Sequence, residues 1–495
     1  MAEIAPRRTG VVVFGAWIVS IFTGIVFISM VTHRLTTSQF GLLEIITDIV
    51  AFASYPLSIV SYWAPRDIGR GKKFGKTAIV ANLAVSLGGC AVFGLFAFVG
   101  NSAVVSSIAL FFSALALVPL AYWYRTANAI LSVSKPQATA YTLLSTEASK
   151  LVAGYFLIFV LRWGLPGVLL SLSLSNVVQA GLGTYLARGT FEGSFSLDQL
   201  KVWFGSAWLP LLDMTPSIVI LADTYVVFLV TGGYTVSGYY QAAFVIASMV
   251  GYSRYLSYAL YPMLLKGEGE RVIGVLFDLM MMVGIPMAVG VSALAPEFLY
   301  LLSKQYVVTS VPLMILAFSA LASAFFSLLD YSLIGKDKSD IEEGNRFGNL
   351  LKGNLFLVPV MNLTYGVIYL AGVAAVAHFG TSLGYSYPLI ITLWASGQLA
   401  LNVLFVALKV RRLGLRSFAG TGRPLAYYTL SAAAMAVTVR AVGPFLLSFS
   451  MPTVDYAVRL LILIAVGMAV YFGILAAVDK RSRERIARLP GIFLP

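Results

Sequence analysis

The sequence predicts an all-α integral membrane protein of about 14 transmembrane helices, set out as two six-helix lobes plus a C-terminal pair. Three observations predict it. Hydrophobic residues make up 59% of the chain and charged ones only 11%, against roughly 25% charged in soluble proteins. Apolar runs long enough to cross about 30 Å of hydrocarbon, which takes about 20 helical residues, recur along the whole chain. The basic residues concentrate in alternate connections between those runs, as the rule that positive charge stays inside requires.

The expected spans in the first lobe are 11–31, 42–62, 77–99, 103–124, 141–161 and 165–187. Those in the second are 205–230, 236–260, 272–294, 307–330, 353–378 and 384–408, and the added pair is 425–447 and 456–478. The first run is as long as a full span and leads straight into another, so it reads as a retained helix rather than a cleaved signal. The runs are continuous rather than alternating, which excludes barrel strands. The expected divisions are a first lobe over 1–190, a second over 191–420, and the pair with a basic tail over 421–495.

With the N-terminus inside, 27 of the 34 basic residues fall in cytoplasmic segments. Both termini are therefore expected in the cytoplasm of a cell-membrane protein. The same placement explains the net charge of +13 without nucleic acid as a partner. The tail KRSRERIAR is expected to lie on anionic headgroups. One cysteine, Cys90, and two histidines, His33 and His378, leave no intrachain disulfide and no Cys- or His-rich metal site.

A faint repeat supports the two lobes. Sliding the chain by 197 positions places Gly41 on Gly238, Glu44 on Gln241, Tyr55 on Tyr252 and Pro65 on Pro262. Two lobes of equal orientation would be related by an axis along the membrane normal, with substrate between them and alternating access by rocking.

Charges inside apolar runs are the candidate functional residues, because a charge in hydrocarbon is costly. Glu44 and Asp48 share a helical face at i, i+4, and two like charges at low dielectric call for a proton or a cation. A solvated Glu44 in the headgroup region is the alternative. Glu147 and Lys150 stand at i, i+3, either as a self-neutralising pair or with Lys150 as a counter-charge for phosphate. Asp213 lies between Pro210 and Pro216, whose missing N–H groups are expected to free carbonyls for an ion. Asp223 follows ten residues later. Arg254 sits among Tyr252, Tyr255, Tyr258 and Tyr261: a guanidinium holds phosphate bidentately and tyrosines suit sugar rings, while an interfacial belt with a snorkelling arginine is the other reading. Asn128, Asn176, Gln179, Asn362, Gln398 and Asn402 either line the same space or tie helices together. The chain lacks a phosphate-binding glycine loop and a catalytic Ser/His/Asp set, so no cofactor or enzymatic activity is expected.

Four segments carry a resemblance: HRLTTSQFGLLE, SYWAPRDIGRGKK, YRTANAILSVSKPQATAYTLLSTEASKL and LADTYVVFLVTGGYTVSGYYQAAFVI. Together with the fourteen-span plan they resemble the polysaccharide and oligosaccharide-lipid flippases of the multidrug/oligosaccharidyl-lipid/polysaccharide (MOP) exporter superfamily. Asp223, Gly238 and Tyr239 carry its aspartate, glycine and aromatic. The resemblance implies movement of a polyprenyl or dolichyl (pyro)phosphate-linked glycan to the outer leaflet, by a monomer that works beside glycan-assembly enzymes. Arg254, Lys150, Tyr252, Tyr255, Tyr258 and Asn176 would meet that substrate, and Asp48, Glu44, Glu147, Asp213 or Asp223 would take a coupling sodium ion or proton. A drug exporter of the same superfamily and a membrane-embedded glycan polymerase or glycosyltransferase are the competing readings.

Overall fold

The computed structural model describes residues 6–100, 107–257, 271–337, 353–418, 420–479 and 482–484, and among them every regular element is helical. Among these described residues, eleven helices are long and apolar enough to cross a membrane, and a pair bent by 57° makes a twelfth. The places of the first and eighth expected spans are helical too, over Pro6–Thr32 and Thr235–Gly251, but they do not add to that count.

The contacts divide the chain into two compact units, one reaching to Gly238 and one running from Tyr239.

The first unit is built from α1 (Pro6–Thr32), α2 (Thr37–Ala53), α3 (Leu57–Gly69), α4 (Gly75–Gly100), α5 (Ile108–Leu115), α6 (Leu117–Ser134), α7 (Ala138–Gly154), α8 (Gly164–Leu186), α9 (Leu197–Gly205), α10 (Trp208–Leu221) and α11 (Asp223–Thr231). A capping box starts α2: Thr36 Oγ1 accepts the Gln39 N–H at 3.2 Å and Gln39 Oε1 accepts the Thr36 N–H at 3.0 Å, satisfying two donors that the first turn leaves open. Ser54, Tyr55 and Pro56 interrupt the second span and supply its bend, since Pro56 has no N–H to continue the ladder. Tyr55 then donates to the Leu211 carbonyl at 2.6 Å, which ties α10 to this unit.

Two glycines, Gly41 of α2 and Gly238 near the end of the first unit, also approach each other closely. A Cβ on Gly41 would overlap the Tyr234 carbonyl and stand 2.8 Å from the Gly238 nitrogen, and one on Gly238 would overlap the Thr37 carbonyl. Only residues without a side chain let two backbones meet this closely. The glycines that align in the internal repeat are therefore packed against each other.

α9 is a short connector that begins with Ser196 accepting the Gln199 N–H. Its buried Trp203 donates to Asp67 Oδ2 at 2.9 Å, and Gln199 donates to the same oxygen at 2.9 Å. Lys72 holds the other oxygen at 2.8 Å, so one carboxylate at the end of α3 fastens the connector. Asp67→Ala should release α9 and cost about 1–3 kcal/mol; limited proteolysis within 191–207 should become faster, and an unchanged digestion rate would remove Asp67 from that role.

The second unit begins inside α12 (Thr235–Gly251), at Tyr239, and contains α13 (Arg271–Ala293), α14 (Ala295–Leu302), α15 (Ser310–Gly335), α16 (Asn354–Ser382), α17 (Tyr387–Leu413), α18 (Gly422–Leu446) and α19 (Thr453–Val478). Its core joins α18 and α19 to α13: Tyr428 donates to Asp278 at 2.9 Å and Tyr471 to the Met282 carbonyl at 2.8 Å, amid buried Phe277, Met281, Ala432, Met435 and Leu475. Stacking of Tyr240 on Trp394, 3.7 Å between ring centroids, and a Trp394 to Tyr369 hydrogen bond of 2.9 Å brace α12, α17 and α16.

Candidate functional site

In the first unit, three carboxylates converge. Glu44 and Asp48 lie on α2, and Asp223 opens α11. Asp223 starts that helix because the expected span is broken at Ala222, and a carboxylate is favoured at a helix N-terminus. Thr224 sits between two acids, its N–H bonded to Asp223 Oδ1 at 2.7 Å and its hydroxyl to Asp48. Asp48, Asp223 and Thr224 are buried and Glu44 is half-buried. Each of Glu44 and Asp48 feels the charge of other carboxylates, an arrangement suited to a proton or a monovalent cation. Among the described residues no group of His, Cys, Asp or Glu has the arrangement of a metal site.

Asp213 lies on α10, but its side chain is outside the described residues. The expectation of two proline-freed carbonyls changes: Pro210 is in the first turn of α10, where an N–H is not needed, and only Pro216 lies inside the helix.

Glu147 and Lys150 form an ion pair of 2.7 Å. Ser20 and Thr23 of α1 also donate to Glu147, at 3.0 and 2.6 Å, while the ammonium stands 5.4 Å from the centre of the Phe27 ring. Asn176 is half-buried on α8.

In the second unit, α12 ends at Gly251, and Tyr252 and Arg254 lie on a following 3-10 turn, Tyr252–Ser257. The regular helix expected through 260 is therefore interrupted where the tyrosines begin. Arg254 is exposed and Tyr252 half-buried. The Tyr255 side chain, Tyr258 and Tyr261 lie outside the described residues.

A charged cluster that sequence reading did not single out joins three helices of this unit. Lys409 of α17, fully buried, donates to Asp330 of α15 and, at 2.7 Å, to Asn362 Oδ1 of α16. Asn362 Nδ2 donates back to Asp330 Oδ2 at 3.1 Å, and the Phe326 ring centre is 3.2 Å from the ammonium. The three N–H donors of the lysine thus meet a carboxylate, an amide oxygen and a π face. The signal was available in outline: Asp330 ends one expected span and Lys409 follows another, at the same expected depth and with opposite sign.

No protein-family model matches the chain, and no curated protein matches it by sequence. Solved structures do. The lipid II flippase MurJ in an inward closed conformation matches with a TM-score of 0.64 at 13% identity, over 95% of this chain and 98% of that one. An inward-facing multidrug resistance MATE family transporter of the MOP superfamily gives 0.57 at 16% identity, over 81% of this chain and 96% of that one. An outward-facing conformation of a multidrug resistance MATE family transporter of the MOP superfamily gives 0.53 at 16% identity, over 83% of this chain and 95% of that one. The chain has the all-helical fold of MOP-superfamily members.

Proposed function

We propose that this protein is a flippase that carries a polyprenyl or dolichyl (pyro)phosphate-linked oligosaccharide from the inner to the outer leaflet by alternating access. The observation that carries the reading is coverage. The likeness to a lipid-linked substrate flippase runs over 95% of this chain, whereas the MATE transporters cover 81% and 83%. The exposed Arg254 is suited to a phosphate, and the acids around Asp48 to a coupling sodium ion or proton. No cofactor is needed, and glycan-assembly enzymes of the membrane are the natural partners.

The test is reconstitution of the full chain in liposomes that carry a fluorescent polyprenyl pyrophosphate-linked oligosaccharide. The reading expects movement between leaflets with the glycan chemically unchanged. Covalent change of the glycan would favour a membrane-embedded enzyme, and dye efflux with a static glycolipid would favour a drug exporter. Arg254→Ala is expected to abolish glycan display at a normal protein level; full display would exclude the residue from the path.

A further inference from the structure

The basic residues within the spanning helices of the first unit differ in what neutralises them. Lys150 is paired with Glu147. Arg125 has no carboxylate partner among the described residues. The sequence places it just beyond the expected span 103–124, in a cytoplasmic connection; instead α6 continues to Ser134, nine residues further. At about 1.5 Å per residue, that sets Arg125 roughly 14 Å inside the end of the helix.

The rotation of α6 is fixed by its neighbours. Tyr122 donates to the Ala53 carbonyl at 2.9 Å, Asn82 of α4 donates to Thr126 at 2.7 Å, and Trp123 donates to Thr184 of α8 at 2.9 Å. Those contacts turn Arg125 outward, and it is exposed. At helical spacing from it stand half-buried Asn128, whose Oδ1 accepts the Thr142 hydroxyl of α7 at 3.2 Å, the small Ala129 and exposed Ser132, so no bulky apolar side chain follows the guanidinium on that face. The guanidinium is itself oriented, because its Nε donates to the Tyr124 hydroxyl at 3.1 Å. Its two terminal nitrogens are thereby presented as a fork, the geometry that receives two oxygens of a phosphate.

We propose that Arg125, steadied by Tyr124 and flanked by Asn128 and Ser132, is an anion-binding site of the first unit that takes the phosphate group of an isoprenoid lipid. The proposal rests on the flippase reading and adds a contact to it. The same fork would also accept an ordinary anionic phospholipid headgroup by snorkelling, so the test separates the two sources.

Purified full-length protein in neutral nanodiscs is titrated with farnesyl diphosphate, and with farnesol, inorganic pyrophosphate and phosphatidylglycerol as comparisons. The expected result is salt-sensitive binding of farnesyl diphosphate that farnesol and phosphatidylglycerol do not match. Arg125→Gln should bind it roughly ten- to hundredfold more weakly, as loss of a charged hydrogen-bonding partner predicts. Arg125→Lys should fall between, since it keeps the charge and loses the fork. An unchanged melting temperature in Arg125→Gln marks the loss as one of binding, because the side chain is exposed. Equal affinity in Arg125→Gln overturns the site while leaving the flippase reading intact. Equal binding of phosphatidylglycerol by the wild type makes Arg125 a headgroup anchor and overturns the proposal. Wild-type protein that binds no diphosphate lipid overturns both.

Discussion

Replacing Lys409 with methionine is expected to cost about 3–5 kcal/mol of stability, because it strands the Asp330 carboxylate in the interior of the second unit. Asp330→Asn should cost a similar amount by stranding the ammonium. The double variant Lys409→Met/Asp330→Asn removes both charges, and Asn362 remains to hydrogen-bond an asparagine. It should recover most of the loss, since a buried ion pair exchanged for neutral groups of similar size is often neutral or stabilising. Thermal unfolding of the three proteins in one detergent measures the cycle, and additive losses in the double variant would refute the coupling. Leaflet-to-leaflet transport by a well-folded double variant asks a second question: whether the pair serves only to join α15, α16 and α17.

Asp48→Asn addresses the acid cluster of the first unit with the smallest change of shape. An asparagine oxygen still accepts the hydroxyl of Thr224, and the repulsion from Glu44 and Asp223 falls, so the fold should be retained or gain in melting temperature. If the cluster binds the coupling cation, transport driven by an imposed sodium or proton gradient should drop to the level of protein-free liposomes. A gradient response equal to wild type would exclude Asp48 from coupling. Running the sodium and proton gradients separately identifies the ion.

The helical plan was legible in the sequence because hydrocarbon imposes a length and a composition on every crossing helix. The charged sites were legible only where a charge stood well inside an apolar run, as with Asp48, Glu147 and Asp223. Arg125 and Lys409 were placed in connections because each stands at the end of its apolar run, with polar or basic residues following soon after. Packing in three dimensions instead keeps both within long helices. Lys409 is tolerated in the interior because Asp330 and Asn362 come from other helices, and Arg125 because Tyr122 and Trp123 turn it away from the packed side. The break after Gly251 and the start of a new helix at Asp223 were equally invisible, since the apolar runs 205–230 and 236–260 extend across both interruptions.

The ion pair on α7 also bears on how the chain is made. Ser20 and Thr23 precede Glu147 by 127 and 124 residues, so at synthesis rates of about 5–20 residues per second α1 waits on the order of ten seconds for its partner. Thr23 is provided for in the interval by the carbonyls of Val19 and Ser20 on its own helix. α7, when it emerges, carries its own counter-ion one turn away and enters the bilayer as a neutral segment. Each helix is therefore able to partition alone, and the contact between them forms afterwards, as an exchange of partners within the membrane rather than a rescue of an exposed charge.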